Sequence, residues 1–253
     1  MAEKLREEIE GKDLLPPNQA GFRKGMGTLD NVYTLNYLVN RQINGKGGKM
    51  IILFVDMKAA FDSVNRKKLI EAMRKRGVRE GLVKRCKEVL KETSNRVKIG
   101  EKEGDIFWTV KRVRHRCPLS PSLFTLLLAD IDEILEKGWG GVKLGGRKIY
   151  TLAYADDIAV MAEDEEGMKG IMNKLEKYLD EKGMELNVRK TKIMRCRKGG
   201  GRWRKISWRW KGREVEEVKE FKYLGYVIKY NRSQDAQDAQ MRDRMKKEAA
   251  ILG

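Results

Sequence analysis

Three aspartates occupy positions where a carboxylate is unfavourable unless something neutralises it. Asp56 follows the apolar run Met50 to Val55, and the adjacent pair Asp156 and Asp157 lies between two apolar runs. A charge at the end of a buried strand needs a partner or a metal ion, and adjacent carboxylates raise each other's pKa unless a cation is near. Three aspartates at neighbouring strand ends would form an oxygen-rich site suited to Mg²⁺. Two such ions can promote phosphoryl transfer.

The same residues also have a plainer interpretation. Asp-Asp pairs are common in turns, because aspartate hydrogen-bonds to its own backbone and tolerates unusual dihedral angles. Asp56 could simply end a strand. The aspartates alone leave both interpretations open, and the choice depends on the segments that position them.

Those segments predict alternating helices and strands, typical of an α+β protein. Apolar spacing predicts a helix from Thr28, as its cap, to Gly45, and a strand from Met50 to Val55. Ser120-Pro121 predicts a helix start with Ser120 as the cap. The apolar segment Ile149 to Met161 predicts a hairpin with the aspartate pair at its tip. Asp164 is then expected to cap a further helix.

The composition favours a polyanionic partner. The chain has 253 residues, with 55 Lys and Arg against 37 Asp and Glu, a net charge of +18 spread along its length. Each neutralised phosphate releases a condensed counterion, so this excess indicates nucleic acid rather than a membrane surface. The three cysteines form no zinc-ligand pattern. No signal peptide or membrane-spanning run is present, so we expect an intracellular protein, in the nucleus or the cytoplasm, that is not secreted.

Six motifs, in family order and over nearly the whole chain, resemble those of reverse transcriptases of the non-LTR (LINE-type) retrotransposon branch. The two aspartate motifs are Phe54 to Asp62 (FVDMKAAFD) and Tyr154 to Asp157 (YADD). The remaining four are Asn18 to Arg23 with the Thr28-Leu29-Asp30 that follows, Cys117 to Pro121, Leu186 to Lys192, and Phe221 to Gly225.

The resemblance implies the fold of a right-hand polymerase palm, an antiparallel sheet with helices packed on one face, plus partial fingers and the start of a thumb. We expect one reverse transcriptase domain, truncated at both ends. The implied subdivision is partial fingers at 1–50, palm with the first aspartate motif at 51–115, palm with YADD at 116–195, the primer-grip region at 196–230 and the start of the thumb at 231–253.

The resemblance also implies catalytic roles. Asp56, Asp156 and Asp157, with the backbone carbonyl of Met57, would hold two Mg²⁺ ions, for which Mn²⁺ can substitute. Lys190 would protonate the leaving pyrophosphate. For Lys190 the plainer interpretation is one more basic surface residue. The implied partners are an RNA template, a DNA primer and dNTPs, and the oligomeric state is left open.

Further residues match the substrate and nucleic-acid contacts of the family. Phe61 matches the position that stacks under the incoming sugar and blocks a 2′-hydroxyl, although by itself it would be interpreted as a core residue. The other expected substrate contacts are His115, Arg116, Ser120 and Tyr154. The expected nucleic-acid contacts are Arg23, Lys222, Tyr223, Leu224 and Gly225. The basic loop Arg195 to Arg204 could also contact the backbone, whereas the alternating Trp208 and Trp210 favour packing on one sheet face.

One motif departs from the family. His115 and Arg116 stand where the family carries Gln-Gly. Arginine adds a long charged side chain where the backbone should approach the substrate, and it removes conformations that need a positive φ. We expect this to weaken or abolish polymerisation. Two alternatives therefore stay open: a decayed remnant that binds nucleic acid without chemistry, and an intron-maturase or retron-type enzyme.

Overall fold

The structure is a computed structural model that describes residues 1–45, 48–91, 93–96, 98–100, 102–105, 107–109, 117–138, 140–198 and 204–231. The predictions for His115 and Arg116, for residues 199–203 of the expected basic loop, and for the thumb segment after Asn231 lie outside these residues.

The described elements alternate between helices and short strands. The helices are α1 (Ala2–Gly11), α2 (Thr28–Asn44), α3 (Ala60–Ser63), α4 (Arg66–Lys75), α5 (Glu80–Val89), α6 (Ser120–Leu127), α7 (Ile131–Leu135) and α8 (Glu165–Lys182). The strands are β1 (Lys49–Val55), β2 (Thr93–Asn95), β3 (Lys98–Ile99), β4 (Lys102–Glu103), β5 (Phe107–Thr109), β6 (Val142–Leu144), β7 (Arg147–Ile149), β8 (Thr151–Tyr154), β9 (Asp157–Ala162), β10 (Lys192–Arg197), β11 (Arg209–Trp210), β12 (Arg213–Glu214), β13 (Glu216–Glu217), β14 (Glu220–Tyr223) and β15 (Tyr226–Lys229).

The chain forms two compact units, each built from several segments. The first comprises Met1–Pro16, Met57–Asp130 and Leu179–Glu185, and the second comprises Pro17–Asp56, Ile131–Tyr178 and Leu186–Gly253. The division into fingers, palm, primer grip and thumb concerns function rather than compactness, and it stays a prediction.

The first unit is mainly helical. Its helices α1, α4, α5 and α6 pack through fully buried side chains, which include Leu5, Leu69, Met73 and Val83. The carboxylate of Glu8, also buried, accepts hydrogen bonds from the Arg79 backbone nitrogen at 2.7 Å and from the Arg79 guanidinium at 2.6 Å. This ion pair joins α1 to the start of α5.

The second unit contains a five-stranded sheet in the order β13-β10-β1-β9-β8, antiparallel except for the β10–β13 pair. Its central strand β1 is buried on both faces: Met50, Ile52 and Phe54 share a core cluster with α2, and the alternate residues Ile51 and Leu53 are buried too. Burial on both faces explains why β1 reads as a continuous apolar run rather than an alternating one.

Most of the predicted elements are present, and the α+β fold class is confirmed. Two predicted helix caps differ from the observed ones. The cap of α2 is Gly27 rather than Thr28, and the Asp30 carboxylate accepts a hydrogen bond from the Gly27 nitrogen at 2.6 Å. Ser120 is likewise the first residue of α6 and not its cap. Asp164 does cap α8 by accepting from the Gly167 nitrogen at 2.7 Å. None of the described helices is long and apolar enough to cross a bilayer.

Candidate active site

The strand register of the second unit brings the first aspartate to the second aspartate motif. β1 and β9 are antiparallel, and their last pair is Val55 with Ile158. Asp56 and Asp157 are the next residues beyond that pair on each strand. Side chains of directly opposed antiparallel residues lie on the same face of a sheet. Two residues far apart in the sequence therefore meet at one end of the sheet.

Asp156 is placed by the tight turn between β8 and β9. Tyr154 pairs with Asp157, so Ala155 and Asp156 form a two-residue turn. Ala155 has a φ of 59°, in the left-handed region. The primed turns that suit a hairpin require a positive φ at this first central position, which glycine adopts more easily than alanine. The strained Ala155 places Asp156 at the hairpin tip, as the sequence predicted.

The electrostatics of Asp157 show that the three carboxylates affect one another. The Asp157 side chain is exposed, whereas Asp56 and Asp156 are half-buried. Partial desolvation by the surrounding chain raises the pKa of Asp157, and the charges of Asp156 and Asp56 raise it further. Negative charge is thus concentrated at this sheet end, where a cation would relieve the repulsion.

A late segment of the chain holds the backbone of Asp56. The Asp56 nitrogen donates to the hydroxyl of Thr191 at 3.1 Å, and its carbonyl accepts from the Asn187 nitrogen at 2.8 Å. Thr191 is fully buried, and its own nitrogen donates to the Asn187 carbonyl at 2.8 Å. The segment between Leu186 and Lys192 therefore forms a turn that fixes the aspartate at the end of β1.

A pocket of about 380 Å³ opens beside Asp56 and Asp157. Its wall carries both acidic and basic groups, and it includes the predicted catalytic residue Lys190. The lining residues are Phe54, Val55, Asp56, Asp157, Ile158, Arg189, Lys190, Lys192, Phe221 and Tyr223. Arg189 and Lys190 are exposed, so their charges lie at the surface of the pocket.

The predicted primer-grip residues form the hairpin β14–β15. Its turn residues Leu224 and Gly225 both have positive φ, at 49° and 88°, which is the requirement of a type I′ turn. Lys222 is exposed, but the Tyr223 side chain is buried. The Tyr223 hydroxyl donates to the Leu152 carbonyl of β8 at 3.2 Å. Tyr223 therefore anchors its hairpin to the sheet, and it also forms part of the wall of the pocket beside Asp56.

The segment Asn18 to Arg23 contributes contacts that the sequence did not predict. Among these residues we expected Arg23 to act, and its side chain is half-buried. Gln19 is buried, and its side-chain oxygen accepts from the Ala155 nitrogen at 3.1 Å. The exposed Phe22 ring lies 6.3 Å from the half-buried Tyr154 ring, measured between centroids. The only sequence signal for these contacts was the resemblance of the whole motif.

Three expected residues lie in the first unit. Met57 directly follows Asp56 in the chain and is buried. Phe61 is half-buried on α3, with its ring 4.9 Å from that of Phe124 on α6, measured between centroids. Ser120 is buried at the start of α6. The structure thus gives Phe61 a packing partner in Phe124 and leaves part of the residue exposed.

The expected basic loop and the two expected packing tryptophans have different outcomes in the structure. Arg195 belongs to β10 rather than to a loop, and its guanidinium donates to Glu217 at 2.6 Å, so this arginine is held within the protein. Trp208 and Trp210 are buried, in agreement with the interpretation that they pack on the sheet. Trp208 also donates to the Glu217 carboxylate at 3.1 Å.

The donor set at the sheet end suits a hard cation. Asp56, Asp156 and Asp157 offer only oxygen ligands, which Mg²⁺ and Mn²⁺ prefer. Among the residues that the structure describes, no three His, Cys, Asp or Glu side chains converge as closely as the ligands of one metal ion do. Like charges repel, so a closer approach of the three carboxylates requires the positive charge of the ion itself. The three residues fit a divalent metal in the kind of ligand atom that they offer.

Residues 1–228 match the family model described as "Reverse transcriptase (RNA-dependent DNA polymerase)". Curated relatives include the Pol polyprotein of the type-1 retrotransposable element R2 of Nasonia vitripennis, 27% identical over 74% of this chain and 18% of the relative. Another is the Pol polyprotein of the type-2 element R2DM of Drosophila melanogaster, 27% identical over 69% of this chain and 16% of the relative. The chain spans less than a fifth of each of these two proteins.

Solved structures support the fold independently. The apo telomerase of Candida tropicalis truncated from its C-terminal domain matches with a TM-score of 0.63 and 14% identity, over 90% of this chain and 44% of that one. The telomerase of Candida albicans in complex with a fragment of telomeric RNA matches with a TM-score of 0.54 and 16% identity, over 85% of this chain and 35% of that one. At such identities the likeness concerns the fold alone.

Proposed function

Because the chain belongs to the reverse transcriptase family, whose members use divalent metal ions, we propose that it carries the polymerising centre of an R2-like Pol polyprotein. The reaction is the transfer of a deoxynucleotidyl group from a dNTP to the 3′-hydroxyl of a DNA primer paired with an RNA template, with release of pyrophosphate. The observation that carries the proposal is the β1–β9 register, which sets Asp56 opposite Asp157 and next to the Asp156 turn.

In this proposal Asp56, Asp156 and Asp157, with the Met57 carbonyl, hold two Mg²⁺ ions, for which Mn²⁺ can substitute. Bound there, the ions would activate the primer hydroxyl and stabilise the charge on the leaving pyrophosphate. The turn formed by Asn187 and Thr191 keeps Asp56 at the strand end, so that less reorganisation is needed when the substrates bind.

The pocket beside the aspartates supplies the complementary charge. Arg189 and Lys190 line it, and their side chains are exposed where a triphosphate can reach them. A guanidinium binds phosphate in bidentate fashion, and a lysine acts as a point charge. Lys190 in addition protonates the pyrophosphate as it leaves.

The remaining expected contacts position the substrates. We assign to Phe61 the role of blocking a 2′-hydroxyl of the incoming nucleotide, and to Ser120 and Tyr154 the role of further nucleotide contacts. Lys222, Leu224 and Gly225 hold the primer end, with Tyr223 anchoring their hairpin from inside. Arg23 contacts the template strand. The description of the matching family as RNA-dependent DNA polymerases supports an RNA template.

Primer extension on an RNA template, with Mg²⁺ or Mn²⁺, tests the proposal. We expect the unaltered protein to extend the primer, weakly because of His115 and Arg116, and Asp156→Asn to abolish extension, because the turn residue loses its ligand charge while the turn itself can remain. Asp105→Asn, at an exposed aspartate, is the matched control and should extend like the unaltered protein. Equal incorporation by all three proteins would exclude the assigned site.

The sequence also supports a second candidate, a remnant that binds nucleic acid without polymerising. His115 and Arg116 replace the Gln-Gly of the family, and this observation favours lost activity. The double variant His115→Gln with Arg116→Gly distinguishes the candidates. If primer extension appears only in this variant, the change in this motif is the cause of the lost activity. A salt series on primer–template binding tests the binding function itself, since affinity should fall steeply as log[salt] rises.

A further inference from the structure

We propose that Gln19 is a positioning residue for the Asp156 turn, and that Gly21 is required for it to act. The proposal rests on the proposed function, because it assigns the support of the same metal-binding hairpin. The segment of Gln19 to Gly21 lies in the same compact unit as that hairpin.

The backbone of this segment extends the sheet by a short parallel bridge. Gln19 pairs with Ala153 of β8. The Ala153 nitrogen donates to the Asn18 carbonyl at 2.8 Å, and the Ala20 nitrogen donates to the Ala153 carbonyl at 2.9 Å. β8 is the edge strand of the five-stranded sheet. The bridge therefore occupies backbone groups that an edge strand would otherwise leave open, and it fixes where Gln19 lies along the hairpin.

The side chain of Gln19 then reaches the turn itself. Its amide oxygen accepts from the Ala155 nitrogen at 3.1 Å and from the Gly21 nitrogen at 2.9 Å. Gln19 is 3% exposed and Ala155 is 5% exposed, so water does not replace these bonds easily. Ala155 is the residue with a φ of 59°. An unfavourable φ persists only where the surroundings determine it, and the Gln19 acceptor is such a determinant.

Gly21 allows the close approach that the Gln19 contact requires. A β-carbon on Gly21 would lie 2.4 Å from the Ala155 nitrogen and 3.0 Å from the Gln19 side-chain oxygen. Both atoms belong to the contact itself, and one of them is backbone, so neither can move aside cheaply. A side chain at position 21 would push the turn away from Gln19.

A second layer supports the start of the same strand. The Asn18 amide donates to the Thr151 hydroxyl, which in turn donates to the Asp132 carboxylate at 2.7 Å. Thr151 is fully buried at the first position of β8. The hairpin is therefore held at its base by Asn18 and at its tip by Gln19, and only the tip contact adjoins a metal-binding residue. Groups that orient metal ligands typically change metal affinity or activity by roughly 10- to 100-fold when they are removed.

The test uses two variants that disturb one contact from opposite sides. Gln19→Met keeps the length of the side chain but removes the acceptor, and Gly21→Ala introduces the clash. The matched controls are Gln42→Met, at a half-buried glutamine of α2, and Gly146→Ala, where an added β-carbon meets nothing within 4 Å. Three quantities are measured: hydrogen exchange at the Ala155 amide, Mn²⁺ binding by isothermal titration calorimetry, and kcat and KM for primer extension.

We expect both test variants to lose Ala155 protection while the amides of β10 stay protected. Mn²⁺ affinity and kcat should each fall by roughly tenfold or more, with KM for the dNTP within about twofold of the unaltered protein and both controls unchanged. Lost Ala155 protection with unaltered Mn²⁺ affinity would overturn the positioning role and leave a purely structural one. If the unaltered protein binds Mn²⁺ but does not extend a primer, the proposed function fails, and the Mn²⁺ affinities still decide the role of Gln19.

Discussion

Replacing Asp132 by asparagine should stabilise this protein at neutral pH, although the substitution removes a charge that accepts a hydrogen bond. Asp132 is half-buried at the start of α7, and its carboxylate accepts from the Thr151 hydroxyl at 2.7 Å. Burial raises the pKa of Asp132 to about 6 from the ordinary 3.8; the Thr151 hydrogen bond lowers it in part, and the charge of Glu136 raises it.

The sign of the effect follows from the direction of this shift. The folded protein binds the Asp132 proton more tightly than the unfolded chain does, so stability falls as the pH rises from about 3.8 to about 6. Above that range the ionised carboxylate destabilises the fold. A difference of about two between the pKa values corresponds to ~3 kcal/mol, and solvent screening at a half-buried group reduces this to roughly 1–3 kcal/mol. Asparagine avoids the penalty and can still accept from Thr151.

Urea unfolding at several pH values measures the effect, with hydrogen exchange in β8 as a local report. The free energy of unfolding of Asp132→Asn should exceed that of the unaltered protein by roughly 1–3 kcal/mol at pH 7.5. The two free energies should be equal below pH 3.8, where both side chains are neutral. Glu220→Gln, at an exposed carboxylate of β14, is the control and should leave the pH dependence unchanged. A variant less stable than the unaltered protein at pH 7.5 would show that the Asp132 charge is favourable, and the reasoning from burial would be refuted.

Three further perturbations address other contacts. Glu8→Gln should destabilise the first unit by roughly 1.5–3 kcal/mol at pH 7, because Arg79 loses a charged acceptor. Burial alone would raise the pKa of Glu8, but the hydrogen bonds from Arg79 and Lys12 lower it to about 2. The stability that Glu8 contributes is therefore fully present above pH 4.5 and is lost as the pH falls towards 2. Thermal unfolding measured at pH 7 and at pH 3 should show a smaller change in melting temperature for the variant than for the unaltered protein. Phe61→Val should raise ribonucleotide incorporation by roughly 10- to 100-fold relative to dNTPs if the ring blocks a 2′-hydroxyl. Unchanged discrimination between ribonucleotides and dNTPs in an active protein would show that Phe61 only packs in the core. Tyr223→Phe removes the hydroxyl that donates to Leu152 and should lower the free energy of unfolding by ~1–2 kcal/mol, with an unchanged urea midpoint counting against this anchor.

Much of the candidate site could be predicted from local sequence, because its elements carry strong local signals. The apolar run before Asp56 predicted β1, and two apolar runs around the YADD tetrapeptide predicted the hairpin. The motifs then placed both on one sheet, and the observed register agrees. Burial on both faces made β1 easy to recognise as a strand, but it gave no information about which neighbours it has.

The contacts that local patterns could not supply are those between distant segments. Nothing around Gln19 predicts that its side-chain oxygen accepts from the Ala155 nitrogen, since a single side-chain acceptor leaves no periodic signature in the sequence. Tyr223 shows a related limit: its motif indicated a nucleic-acid contact, whereas the structure buries the ring and exposes its neighbour Lys222. Arg195 looked like part of a glycine-rich loop, yet its pairing with Ile51 continues β10 to Arg197.

The position of β1 between β9 and β10 has a consequence for the synthesis of the chain. β1 comes early in the sequence, but both of its partners are made much later, β9 from Asp157 and β10 from Lys192. Until Arg197 has left the ribosome, the apolar strand keeps at least one edge open, and open apolar edges recruit strands from other molecules. A chain interrupted between β9 and β10 would thus contain all three aspartates and still leave one apolar edge of β1 open to strands from other molecules.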